Sequence, residues 1–286
     1  MKEKTITFNY KHFLKKETIA SFLERKDYSS DYIYHLIEKK MVRINDKIVE
    51  SKNEILPFFK ICNISVRLLF EKNTIPPLQA NLTILYEDQY LLIVFKHKNM
   101  DIEPTKKNYY KTLSNIISYY YQAKGIHSKI HLVNRLDKLT DGIVIVAKSG
   151  YIHHVMSKVN IIKKYKTFVK GKVDDSGVIK VNIKKDDDSV FRVASEDGKP
   201  SVTKYRLLSY DSAKDQSLVD IDLVTGRTHQ IRVSFDHIGH PLIGDPFYGN
   251  AKGFYRLCAY YVEFVHPFTK KRVVVELNNK RKEQEK

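Results

Sequence analysis

The chain has only two cysteines in 286 residues, Cys62 and Cys258, far apart and without Cys-x-x-Cys spacing. That argues against a disulfide framework and against a structural zinc site, and it points to a reducing compartment, the cytoplasm. Long apolar runs are also missing. The most apolar stretches, Leu91 to Phe95 and Ile143 to Ala147, fall far short of the roughly 20 residues that a bilayer-spanning helix needs. Residues 1–13 hold no apolar core of signal-peptide length. There is no His-Glu-x-x-His pair, no Gly-x-Ser-x-Gly elbow and no internal repeat. The expectation is therefore a protein with no metal centre and no membrane partner.

Positive charge is what the chain has in excess. Lys and Arg total 50 against 33 Asp and Glu, a formal charge of +17. A chain this basic is drawn to a polyanion. Lys, Ile, Asn and Tyr are all abundant, so a general compositional bias contributes to the excess. Hydrophobic residues make up 42%, which suits one sizeable globular unit with a smaller appended one.

Residues 1–70 read as that smaller unit. Ile19, Phe22 and Leu23 lie at helical spacing, as do Ile33, Leu36 and Ile37, with Ser29 to Asp31 as N-cap candidates between the two sets. Val42 to Val49 alternates and turns at Asn45-Asp46, which predicts a short hairpin. Pro76-Pro77 marks residues 71–81 as a linker. From residue 82 to 276 short β-branched runs alternate with brief helical patterns. Strands are expected at Thr83 to Tyr86, Leu91 to Phe95, Ile143 to Ala147, Phe191 to Ala194, Leu218 to Val224 and Arg272 to Glu276. Helices are expected at Leu113 to Tyr121 and Ile152 to Val159. The fold class expected is α+β, with a mixed, mostly antiparallel sheet in the larger domain and a small α/β N-terminal domain. Residues 277–286 form a charged tail.

Two segments could carry chemistry. One is Asn134-Arg135-Leu136-Asp137-Lys138-Leu139-Thr140-Asp141-Gly142, just before an apolar strand. Arg135 and Asp137 share a side if the backbone there is extended, and Gly142 permits a tight approach. From the residues alone, a surface ion pair and a turn explain this segment better than catalysis does. The other is Thr225-Gly226-Arg227-Thr228-His229-Gln230-Ile231-Arg232-Val233, followed by His237 to Gly249. Its Arg, His and Gly density suits an anion-lined cleft. Its histidines lack the carboxylate or cysteine that would complete a recognisable metal site, and a rigid turn network with satisfied histidines accounts for most of it. A histidine-dependent hydrolase built on His229, His237 and His240 lacks any nucleophile motif.

Both segments resemble the signature motifs of the RluA family of RNA pseudouridine synthases. In the first, the family pattern is typically His-Arg-Leu-Asp and then Thr-Ser-Gly, so Asn134 replaces the usual His and Asp141 the usual Ser. The second matches almost throughout. Lys164 to Gly171, Gly198 to Tyr205 and Phe264 to Pro267 resemble further family segments in the expected order, so the resemblance covers roughly residues 82–276. Lys96-His97 departs from a frequent Lys-Pro, and Leu257-Cys258-Ala259 from a frequent Leu-His-Ala. The N-terminal unit resembles, more weakly, the small S-four-type RNA-binding domain. It lacks the Arg that usually follows the serine, and Asp46 stands where Gly is common.

The resemblance implies isomerisation of uridine in structured RNA to pseudouridine, with ribosomal RNA favoured over transfer RNA. It implies Asp137 as the catalytic carboxylate, Arg232 as its ion-pair partner and Tyr165 as the active-site tyrosine. Asp137 could add to the uracil ring, attack the sugar's anomeric carbon or remove a sugar proton, and the residues do not separate these routes. Arg135 resembles the arginine that fills the space of the flipped base. Arg227, His229 and Gln230, with Lys39, Lys40 and Arg43 of the small unit, are the other expected RNA contacts. No cofactor is implied, and the chain is expected to act as a monomer. Asp141 puts a second carboxylate near Asp137, which could raise the pKa of either. That motivates an alternative: a non-catalytic RNA-binding or ribosome-assembly protein on the same fold.

Overall fold

The computed structural model describes residues 6–69, 71–186, 191–249 and 253–277. The charged tail, residues 277–286, lies outside them except for Leu277. The chain begins with β1 (Thr7–His12), α1 (Ile19–Glu24), α2 (Ser30–Glu38), β2 (Val42–Ile44), β3 (Lys47–Ile48) and β4 (Cys62–Arg67). Thr18 caps α1 and Ser29 caps α2, each accepting from a backbone N–H three residues on. The expected hairpin forms at β2–β3. Asn45 and Asp46 both take positive φ, 46° and 68°, the geometry a two-residue hairpin turn needs. These strands form a four-stranded sheet in the order β1-β4-β2-β3.

The remaining elements are β5 (Ile84–Glu87), β6 (Leu91–Lys96), α3 (Leu113–Lys124), β7 (His131–Leu132), β8 (Asp141–Ala147), α4 (Gly150–Met156), β9 (Ile162–Lys170) and β10 (Ser176–Lys185). They continue with β11 (Arg192–Ala194), β12 (Lys199–Asp211), β13 (Gln216–Leu223), α5 (Gln230–His237), β14 (Leu257–Val265) and β15 (Arg272–Glu276). One large sheet runs β11-β10-β12-β13-β9-β14-β8-β6-β5, with β15 on β14 and β7 on β8. Among the described residues every pairing is antiparallel except β14 with β8. The sheet is mixed and mostly antiparallel, as the sequence predicts.

The apolar runs at β6 and β8 follow from burial on both faces. Leu91, Ile93, Ile143, Ile145 and Ala147 enter one core, while Leu92, Val94, Val144 and Val146 enter the other. The first core is shared with the N-terminal unit. Tyr28 stacks on Tyr151 with centroids 4.0 Å apart, and the Tyr151 hydroxyl donates to the Lys26 carbonyl at 2.7 Å. Residues 71–81 hold no regular element, yet they lie pinned along α3. Asn115 donates to the Pro76 carbonyl, and Ser118 donates to the Ile75 carbonyl while accepting from Asn73.

Two sequence expectations need correction. Helix α4 starts two residues before Ile152, because Ser149 caps it, and it ends at Met156 rather than Val159. The turn network expected across the second motif contains a helix, α5. Six consecutive residues of α5, Gln230 to Phe235, are buried, so no amphipathic stripe betrays it. The sheet and the second core place this helix beside the loop that precedes β8.

Candidate functional site

Residues 133–140 loop from β7 into β8 and line a cleft of about 810 Å³. Its other walls come from Asp101 to Thr105, from Lys163 and Tyr165 on β9, and from Gly226 to Arg232 at the start of α5. This volume is within the roughly 300–1,000 Å³ common for small-molecule sites. Local chemistry holds the loop in place. The Asn134 amide donates to the Ile143 carbonyl at 3.0 Å and accepts from the Ile145 N–H at 2.7 Å, clipping the loop to the edge of β8. Leu136 is buried in the second core. The Asp137 carbonyl accepts from Thr140 N–H, and the Lys138 carbonyl accepts from the Lys96 ammonium at 3.2 Å. Gly142 ends the loop at φ 126°, where a Cβ would collide with the Ala259 carbonyl of β14.

The cleft brings Asp137, Tyr165 and Arg232 together. The Asp137 side chain is 27% exposed, and its Oδ2 lies 3.6 Å from Arg232 Nη1 and 3.8 Å from His229 Nε2. Arg232 is itself gripped from behind. Its Nε and Nη2 donate to the two oxygens of Asp245, each at 2.7 Å, with the pair 1% and 0% exposed. Asp245 Oδ1 also accepts from the N–H groups of Phe247 and Tyr248. The rings of Phe247 and Tyr248 lie 4.9 Å from the guanidinium. A rigid fork therefore has two of its nitrogens fixed and the third aimed at Asp137. Burial opposes the charge on Arg232, but Asp245, Tyr255 and Asp137 together hold the guanidinium pKa above its ordinary value.

Burial, reinforced by Asp137, pushes the Tyr165 phenol well above its ordinary pKa, so it stays protonated at neutral pH. Burial lowers the pKa of His229 against the pull of Asp137, which favours the neutral ring. His229 takes a positive φ of 57°, and its Nδ1 shares a 2.8 Å hydrogen bond with the Tyr248 hydroxyl. Lys96 is buried and brought down to about 8 by that burial, opposed by Asp141, Asp137 and Asp101. Its ammonium donates to the carbonyls of His97, Met100 and Lys138.

Of the expected RNA contacts, Arg135 is exposed at the cleft, 3.8 Å from Glu103 across it. Arg227 is also exposed there, with its Nε on the Pro200 carbonyl. Gln230 is a correction. Its amide is buried, accepting from Arg227 N–H and Thr225 Oγ1 and donating to Val202 O and Thr203 Oγ1. Every hydrogen-bonding site of that amide is used inside the protein, so it shapes the turn rather than meeting a ligand. Lys39, Lys40 and Arg43 are exposed on the N-terminal unit and do not line the cleft. Sequence reasoning missed Asp245, which sat unremarked inside a quoted motif. Its only signal was a carboxylate near an arginine that carried a proposed role.

Asp141 does face inward, from the base of β8, and burial raises its carboxyl pKa. The Cys258 thiol, opposite it on β14, and Lys98 and Lys96 pull the other way. Among the described residues no group of three His, Cys, Asp or Glu side chains converges as a metal site, and no helix is long and apolar enough to cross a membrane.

Residues 90–237 match the family described as RNA pseudouridylate synthase. The chain is 33% identical over 201 residues to the uncharacterised RNA pseudouridine synthase YjbO of Bacillus subtilis, covering 67% of this chain and 70% of that one. It is 32% identical over 260 residues to the ribosomal large subunit pseudouridine synthase D of Buchnera aphidicola (subspecies Schizaphis graminum), covering 82% of each. In structure it is similar to human RNA pseudouridylate synthase domain containing 1, with a TM-score of 0.57 at 24% identity over 70% of this chain and 84% of that one. The human domain containing 4 gives 0.55 at 19% identity, over 68% and 88%. These two likenesses speak to the fold.

Proposed function

Given that the chain belongs to the RNA pseudouridylate synthase family and converts uridine in RNA to pseudouridine, we propose that Asp137 carries this reaction and that Arg232 and Tyr165 serve it. The observation behind this reading is the grip of Asp245 on Arg232, which leaves one guanidinium nitrogen facing Asp137 in an open cleft.

The reaction breaks a bond from base nitrogen to sugar, turns the uracil and rejoins it through a ring carbon. Atoms and electrons are conserved, so the work is to hold an intermediate. In all three routes open to Asp137 the carboxylate has to be ionised and aimed. Arg232 supplies the cation for that, fixed before substrate arrives. Tyr165, buried and protonated, offers a ring face to the uracil and a proton near Asp137. The uridine reaches the cleft by leaving its stack, at a cost of a few kcal/mol. Arg135, exposed beside Asp137, has the planar cation to fill the gap left behind.

Large-subunit ribosomal RNA is the proposed substrate, by likeness to the Buchnera ribosomal large subunit pseudouridine synthase D. The N-terminal unit is read as an S-four-type RNA-binding domain, on its two helices and hairpin, with Lys39, Lys40 and Arg43 as its contacts. The protein is read as a cytoplasmic monomer. Asp137→Asn is expected to abolish tritium release from 5-tritiated uridine RNA while RNA affinity stays within a few-fold of wild type; retained turnover refutes the assignment. A pseudouridine map of ribosomal RNA from wild-type and knockout cells tests the substrate, and an unchanged map counts against it.

A further inference from the structure

One edge of the N-terminal unit exposes apolar side chains among lysines. In the β1–β4 register His12 stands opposite Cys62, so the chain leaving β1 at Phe13 runs beside the chain entering β4 at Ile61. Here the protein exposes apolar side chains in a row: Phe59 is 82% exposed, Leu14 70%, Ile61 60% and Phe13 51%. Phe58 and Phe59 lie against each other, with centroids 3.9 Å apart and planes tilted by 43°. Leu14 holds a positive φ of 60°, which a non-glycine residue seldom adopts and which turns this corner outward.

Charge surrounds the apolar row. Lys11, Lys15, Lys16 and Lys60 are exposed around it, and the Lys16 ammonium lies 5.8 Å from the centre of the Phe58 ring. The nearest acid in sequence, Glu17, is buried and already engaged by Arg25, Lys15 and His12. Glu54 is an exposed carboxylate of the same unit. The hairpin turn closes this end of the sheet, with Asn45 N–H on the Asn63 carbonyl, and it carries Arg43. None of these residues lines the cleft.

We propose that this edge, centred on Phe13 and Phe59, is a second RNA contact on which an unpaired base of the substrate stacks. Exposed aromatic faces interleaved with lysines are how proteins hold single-stranded nucleic acid without reading its sequence: rings stack on bases while ammonium groups follow the phosphates. A second copy of the chain is a poor occupant, since its own lysines would meet these. The inference rests on the RNA-modifying function. It adds that part of the substrate beyond the flipped uridine is unpaired.

The test uses the full chain carrying Asp137→Asn, so that RNA is bound without turnover, and a fluorescein-labelled 12-nucleotide oligouridine. Phe59→Ala and Phe13→Ala are each expected to weaken binding about tenfold, the value of one lost stacking contact. Thermal unfolding should be unchanged, because both side chains are solvent-exposed. Phe59→Tyr should restore affinity, whereas Phe59→Leu, equally apolar but without a ring face, should not. In the active chain the same substitutions should raise KM for folded ribosomal RNA and leave kcat alone. Oligouridine affinity within twofold of wild type in both alanine variants overturns the proposal and assigns the patch to a protein partner. So does full affinity in Phe59→Leu. A wild-type chain that releases no tritium would instead defeat the catalytic assignment, so the two failures are separable.

Discussion

Substituting Asp245 probes the site most sharply, because the structure asks this residue to do two things. Asp245→Ala strips Arg232 of two 2.7 Å bonds in a place with no solvent. Removing one partner of a buried ion pair costs about 3–5 kcal/mol, since a charge is left without compensation. Asp137, at 3.6 Å and partly exposed, cannot replace that grip. Against a stability of roughly 5–15 kcal/mol, the variant should melt roughly 6–20 °C lower. The freed guanidinium would also shift. A misplacement of about 1 Å in a catalytic array can cost about 10²-fold in rate. The assays are thermal denaturation and single-turnover tritium release with protein in excess over RNA. RNA affinity should change little, because Asp245 has no exposed surface to offer RNA. Asp137→Asn should show the reverse pattern, with turnover lost and melting nearly unchanged, because Arg232 keeps Asp245. An Asp245→Ala protein with unaltered melting and turnover within twofold would refute the clamp and the argument built on it.

Two further outcomes follow from charge. Arg227→Ala should weaken RNA binding and lower the slope of log affinity against log salt by about 0.7–0.9, the share of one phosphate contact; an unchanged slope means Arg227 touches no phosphate. Burial raises the Asp141 pKa above 3.8, so between that value and the folded-state value the folded protein holds a proton that the unfolded chain has released. Wild-type stability should therefore fall as pH rises through that window, whereas Asp141→Ser should not show this loss. Urea midpoints measured below and above that window should shift in favour of Asp141→Ser as pH rises, and a constant difference rules this out.

What the sequence disclosed, and what it hid, follows physical lines. Strands β6 and β8 were legible because burial on both faces leaves unbroken apolar runs. The β2–β3 hairpin was legible because its turn demands residues that tolerate positive φ. Helix α5 was hidden because it is buried nearly all round, which erases the 3.6-residue period. Strands β10 and β12 were not among the expected strand runs, and exposed polar residues interrupt their apolar positions. At the site, Asp137, Tyr165 and Arg232 were found by motif, and they meet in one cleft. Gln230 lies in the same motif but serves the turn. A motif says that a residue is needed there and leaves open whether the need is chemical or architectural. Hydrogen-bond accounting settles that for Gln230, whose donors and acceptors are all consumed internally.

The same accounting explains the departures around Asp137. Asn134 stands where a histidine is usual, and its amide both donates to and accepts from the β8 backbone. An amide can do this without titrating. Asp141 and Cys258 depart from the pattern separately in sequence, yet they face each other in the β8–β14 register, and the thiol is a hydrogen-bond partner of the carboxylate. The pair joins two positions 117 residues apart in the chain. The extra carboxylate also faces Lys96, the buried cation that holds the Lys138 carbonyl and so the backbone beside Asp137. An added negative charge there supports the lysine that steadies the loop. Each of the three substitutions is therefore absorbed by a neighbour behind the loop, and the cleft face on which Asp137 meets Arg232 is left as the motif requires.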